Sequence, residues 1–149
     1  PRDLYGVPDN LYVARMVGSP PINILSGAVQ SDGKLTLPFL QSGVPATGIP
    51  SGQDLAVGLR PHDIALADEG SARETRFPAT VHLTEPLGDV TILDVAAQDT
   101  GLKMVLREEV AAKFSVGDEI EVTFNPNDLH FFDRSSGQRL GNVSGTKNG

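Results

Sequence analysis

After Gly18 this 149-residue sequence predicts an all-β fold, a small barrel or sandwich, on three observations. Short apolar runs recur at close spacing, Gly, Pro, Ser and Asp separate them, and little of the remaining chain carries a helical apolar period. Chains with many short strands and turn-rich connections close into barrels or sandwiches, because each half-apolar strand must bury one face.

The first element precedes that pattern. In Asn10 to Val17, Tyr12 pairs with Met16 and Val13 with Val17 at i,i+4, after an Asp9 or Asn10 cap and before Gly18, which predicts a short helix. Leu11, Tyr12, Val13, Met16 and Val17 occupy much of its circumference. A free terminal helix does not expose that much apolar surface, so these residues are expected to contact a preceding domain. Pro1 is not an initiator methionine, and residues 1–18 read as a residual linker helix at the end of something larger.

Strands follow at Ile22 to Val29, Lys34 to Leu37, Asp54 to Leu59 and Asp63 to Leu66. Leu40 to Gly52 contains Gly43, Pro45, Gly48, Pro50 and Gly52, so it is expected to form an irregular surface loop. A second set runs Phe77 to Pro86, Asp89 to Ala97, Leu102 to Arg107 and Glu119 to Phe124. The last of these alternates polar and apolar residues, the period of a half-buried strand. Glu108 to Phe114 suits a helical turn or two, and Gly117-Asp118 a tight turn into the alternating strand. Leu129 to Phe132 and Gln138 to Leu140 are expected to pair through Ser135-Ser136-Gly137. Residues 141–149 are polar and Gly-rich and are expected to be a disordered tail. No internal repeat suggests a propeller or solenoid.

Composition narrows the function. Hydrophobic residues are 39% and charged residues 21%, the balance of a folded domain with a modest core. Nineteen acidic against twelve basic residues give a net charge of -7, which opposes binding to phosphate backbones, so nucleic acid is not an expected partner. With no cysteine there are no disulfides, thiolate metal sites or cysteine nucleophiles, which fits a reducing, cytoplasmic setting. Apolar runs fall short of the roughly 20 residues that cross a bilayer, and the start carries no signal pattern, so any membrane association is expected to be indirect.

Catalytic patterns are missing from the sequence. No Gly-rich loop precedes a Lys-Ser or Lys-Thr at a helix start, the arrangement that cradles phosphate. His62, His82 and His130 fit no metal-ligand spacing, and no Gly-x-Ser-x-Gly elbow is present. No catalytic, cofactor or metal residue is therefore assigned. Two phrases stand out as interface or regulatory candidates. In Gly58-Leu59-Arg60-Pro61-His62-Asp63, Arg60 follows a strand and can make a bidentate bond to a carboxylate, either across an interface or inside the fold. In Glu85-Pro86-Leu87-Gly88-Asp89, a tight turn carries two acids between strands. The candidates are Arg60, Pro61, His62, Asp63, Glu85, Gly88 and Asp89.

Val17-Gly18-Ser19-Pro20-Pro21-Ile22-Asn23, Gly58-Leu59-Arg60-Pro61, Glu85-Pro86-Leu87-Gly88 and Leu129-His130-Phe131-Phe132-Asp133 occur in that order. Together they resemble the C-terminal regulatory region of the ATP-binding subunit of a bacterial carbohydrate ABC importer, the TOBE-type module of the maltose and glycerol-3-phosphate importer class. The resemblance runs from Leu4-Tyr5-x-x-Pro8 to Leu140. It departs at His62, where the family usually has Glu, and at Ile24, where an aromatic is common.

The resemblance implies two small interleaved barrels of the oligonucleotide/oligosaccharide-binding (OB) type over residues 19–140. It implies a non-catalytic regulatory and dimerisation role on the cytoplasmic face, with ATP and Mg held by an upstream domain. The implied partners are a second copy, that nucleotide-binding domain, the permease subunits indirectly, and a regulatory protein or small effector. The competing expectation is an independent barrel binding a sugar or an oxyanion through Arg60, His62 or Asp89.

Overall fold

A computed structural model of the protein describes residues 20–46, 48–52 and 54–142. The expected helix over Asn10 to Val17, with Leu11, Tyr12, Val13, Met16 and Val17, lies outside the described residues, as do residues 143–149 of the expected tail.

Among the described residues, eleven strands form two antiparallel sheets. In chain order they are β1 (Asn23–Val29), β2 (Lys34–Thr36), β3 (Val44–Pro45), β4 (Leu55–Leu59), β5 (Ile64–Leu66), β6 (Phe77–Pro86), β7 (Val90–Ala97), β8 (Thr100–Arg107), β9 (Glu119–Phe124), β10 (His130–Asp133) and β11 (Arg139–Asn142). One sheet has the order β11-β10-β4-β1-β2-β3 and the other β5-β9-β6-β7-β8. All of the second sheet is inserted in the chain between β4 and β10, so the first sheet is built from both ends of the described chain. This is the interleaving that the resemblance implies.

The second sheet curls until its edge strands approach, with β8 packed against β5 and against the 3-10 turn Pro61–Asp63, giving a nearly closed barrel. A four-residue helix, α1 (Glu108–Ala111), follows β8.

One core joins the sheets. Leu25, Val29, Leu35, Val57 and Leu59 from the first meet Phe77, Val81, Leu93, Val95, Met104, Val122 and Phe124 from the second. Phe39, in the connection after β2, stacks on Phe77 with ring centroids 4.4 Å apart. β4 is buried at all five positions because it is covered on both faces. Val57 and Leu59 face the common core, while Ala56 faces a small outer cluster with Ile22 and Phe132.

The turn-rich segment Leu40 to Gly52 differs from expectation. Val44 and Pro45 pair with Leu35 and Lys34 as β3, and Val44, Ala46 and Ile49 are buried. Proline is tolerated there because β3 is an edge strand and Pro45 needs no ladder donor. Val44 supplies the apolar side chain that draws the segment inward. Thr100 and Gly101 also join β8 ahead of the expected start at Leu102, and β11 runs on to Asn142, into the segment read as a tail. No helix among the described residues is long and apolar enough to cross a membrane.

Candidate functional site

Arg60 stands where β4 ends. Pro61, with its fixed φ, starts a 3-10 turn in which Asp63 N donates to the Arg60 carbonyl at 2.9 Å. Pro61 is buried, Arg60 and Asp63 are half-buried, and His62 is exposed. The same device recurs after β9. Asn125-Pro126-Asn127-Asp128 forms a second 3-10 turn, with Asn125 Oδ1 accepting from Asn127 N at 2.9 Å.

The two turns bring Asp63 and Asp128 into electrostatic contact. Burial raises the Asp63 pKa first and the Asp128 carboxylate raises it further, while the Arg60 and His62 charges oppose both. Beyond Asp128 the chain enters β10 at His130, a buried residue whose Nδ1 accepts a hydrogen bond from Arg139 Nη2 at 2.9 Å. A guanidinium can only donate, so His130 is held neutral with its proton on Nε2. Burial, then the Arg139 and Arg60 charges, push its pKa down to about 4.

Arg60 therefore acts on an acid and a histidine at once, yet it makes no ion pair or side-chain hydrogen bond with another described residue. The internal tie considered for it is not formed among the described residues.

The other candidate phrase lies on the β6–β7 hairpin. Leu87 N donates to the Val90 carbonyl at 2.8 Å and Gly88 has φ +106°, so the tight turn is the one the sequence suggests. Glu85, Gly88 and Asp89 are all exposed, flanking an exposed Leu87. The Asp89 carbonyl accepts from Glu108 N at 2.9 Å, which holds the hairpin against the start of α1. No hydrogen bond or ion pair among the described residues joins this hairpin to the Arg60 turn.

A third feature holds none of the seven candidates. A groove of about 600 Å³ opens between Pro21–Ile24 on one side and His82, Leu83, Asp94–Ala96 and Gly101–Lys103 on the other. Asn23 links its walls: Nδ2 donates to the carbonyls of Leu59 (3.0 Å) and Lys103 (2.9 Å), and Oδ1 accepts from Lys103 N (2.8 Å). Asp94 and Lys103 are cross-strand partners, with Oδ1 and Nζ 2.7 Å apart. The register of β6 on β7 shifts between Val81 and Leu83, leaving His82 as the extra residue of a bulge.

Sequence reasoning missed Asp128, Asp94, Lys103 and the clamping role of Asn23. The first had a readable signal, since Pro-x-Asp before an apolar residue occurs both at Pro61-His62-Asp63 and at Pro126-Asn127-Asp128. The Asp94–Lys103 pair had none, because it depends on the register of β7 against β8.

The fold and these surfaces define a small OB-like all-β module with a nearly closed barrel. Residues 57–132, about half of the chain, match the family model of the TOBE domain, and the chain belongs to that family.

Similar sequences include the alpha-glucoside transport ATP-binding protein AglK of Rhizobium meliloti, 31% identical over 89% of this chain and 38% of its own length. The sn-glycerol-3-phosphate import ATP-binding protein UgpC of Paracoccus denitrificans is 34% identical over 94% of this chain and 38% of its own. The xylose/arabinose import ATP-binding protein XacK of Haloferax volcanii is 27% identical, again over 38% of its length. The chain thus spans well under half of the relatives it matches. Among solved structures, the cytoplasmic molybdate-binding protein ModG, with molybdate bound, superposes with a TM-score of 0.60 over 74% of this chain and 94% of its own, at 13% identity. That likeness supports the fold.

Proposed function

We propose that this chain is the regulatory and dimerisation module of the ATP-hydrolysing subunit of an ABC importer for a sugar, sugar phosphate or polyol. One observation carries the reading. The similar sequences are ATP-binding subunits of such importers and align over nearly all of this chain, while the chain itself carries no Gly-rich phosphate loop. ATP and Mg are then bound by a neighbouring domain of the same subunit, and this module contributes no catalytic group.

In that setting the module lies at the cytoplasmic face, contacts the permease only through its subunit, and meets a second copy of itself. Residues 1–18 belong to the neighbouring domain and residues 19–140 to the module. Arg60, which makes no ion pair or side-chain hydrogen bond among the described residues, and the acidic hairpin Glu85–Asp89 are the surfaces we assign to contacts with the second copy or a regulatory protein. A guanidinium suits a carboxylate presented by a partner.

The test is ATP turnover by the purified chain against its Arg60→Ala/Asp63→Asn double variant. No turnover above background in either is expected. Turnover by the chain that the double variant loses would overturn the reading.

A further inference from the structure

We propose that the groove between β1 and the β6–β8 face is a binding site for an uncharged polyhydroxylated ligand, a sugar or polyol, with Asp94, Lys103 and His82 making the polar contacts. The proposal goes beyond the pairing role and does not depend on it, because the site uses none of the residues assigned to that role.

Four observations carry it. The first is shape: the groove, about 600 Å³, falls within the range of small-molecule sites and runs along the junction of the two sheets. The second is rigidity. Asn23 joins the walls through two hydrogen bonds of 2.8–2.9 Å to Lys103 and is anchored by a third, of 3.0 Å, to Leu59, so the groove needs little ordering when a ligand arrives.

The third is the bulge in β6. Regular alternation sends neighbouring side chains to opposite faces, with one covered by the barrel. With His82 as an extra residue, His82 and Leu83 are consecutive, both exposed and both in the groove lining. Leu83 keeps 54% of its surface exposed. An imidazole is thereby set beside the apolar side chains of Leu83 and Ile24.

The fourth is the charge pattern, which selects the ligand class. Lys103 Nζ has one acceptor, Asp94 Oδ1 at 2.7 Å, and keeps two N–H donors; Asp94 keeps its second oxygen. Donor and acceptor valences therefore sit side by side on a pair with no net charge. An oxyanion drawn to Lys103 meets the Asp94 carboxylate, and a cation drawn to Asp94 meets the ammonium. Two adjacent hydroxyl groups satisfy both, since each can donate to the carboxylate and accept from the ammonium, while the ring or chain carbons rest on the apolar wall. The oxyanion branch of the alternative expectation from sequence is therefore disfavoured here.

The test is calorimetry and amide NMR on the full 149-residue chain with glycerol, glucose and maltose, each to about 10 mM, beside sodium sulfate and glycine. Saturable binding of at least one neutral sugar or polyol is expected, with shifts centred on His82, Asp94 and Lys103. Asp94→Ala should weaken it at least tenfold. That partly exposed pair contributes little stability, so the variant should stay folded by circular dichroism. His82→Ala, at an exposed position, is the second variant and should also weaken binding. The proposal fails if no neutral sugar or polyol saturates, if sulfate or glycine binds there instead, or if neither substitution changes the affinity. The pairing role is tested separately by sedimentation, so the two readings can fail independently.

Discussion

The Asn23 side chain and the Lys103 backbone exchange two hydrogen bonds across 80 residues of sequence: Nδ2 donates to the Lys103 carbonyl and Oδ1 accepts from Lys103 N. An amide side chain thus acts as one rung of a missing strand at the edge of β8, where backbone groups would otherwise lack a ladder partner. Its other N–H bond goes to Leu59, the last residue of β4, so Asn23 couples the edge of the barrel to the central strand of the first sheet.

Replacing Asn23 by Ala removes three bonds and strands two carbonyls and one N–H in a half-buried place. The expected loss is about 2–4 kcal/mol, read as a lower urea midpoint. Asn23→Asp should not recover it, since both carbonyls still lack a donor. A loss below about 0.5 kcal/mol for Asn23→Ala would mean that the clamp is incidental.

His130 makes stability depend on pH with a definite sign. Its folded pKa of about 4 lies below the ordinary 6.5, so between those values the unfolded chain holds a proton that the folded chain does not. Stability from this group is therefore complete above pH 6.5 and falls as the pH drops towards 4, by on the order of 3 kcal/mol in all. Asp63 acts in the opposite sense, because its raised pKa withdraws stability as the pH rises through it. In His130→Gln the amide oxygen can still accept from Arg139 but does not titrate. Chemical denaturation between pH 4 and 7 should show a shallower slope in that variant, and equal slopes would contradict the assignment.

Arg60→Met tests whether the Arg60 charge governs its neighbours. That charge lowers both the His130 and the Asp63 pKa, so both should rise in the variant. NMR titration of the His130 ring and the Asp63 carboxyl reads the two shifts, and unchanged values would place the guanidinium elsewhere.

Gly27 is needed for close packing. A Cβ built there meets Leu35 Cδ1 at 2.8 Å and Val57 Cγ2 at 2.9 Å, both on buried side chains. Gly27→Ala should therefore destabilise the fold by about 1–3 kcal/mol through overpacking. A stability equal to wild type in thermal melts would show that β1 can shift to make room.

Most strands were legible because period-two alternation and Gly-Pro punctuation are local signals, as in Glu119 to Phe124 and around Pro86–Gly88. β3 was not, because Val44-Pro45 has no pattern of its own and becomes a strand only when β2 offers an edge. The Arg60 turn was legible as chemistry, from a rigid cation before a proline. Its partners were not, since Asp128 and His130 reach it only after the whole barrel has been threaded between β4 and β10. The groove was the least visible, because it depends on a cross-strand register, a one-residue bulge and a side-chain clamp.

Sedimentation equilibrium of the purified chain, from about 10 µM to 1 mM, tests the central claim that this module pairs with its own kind. The account predicts a reversible monomer–dimer equilibrium, with apparent mass rising from 15.8 kDa towards twice that value. It also predicts weaker pairing when Arg60 or the Glu85–Asp89 hairpin is altered. A constant mass of 15.8 kDa up to the highest concentration would contradict it.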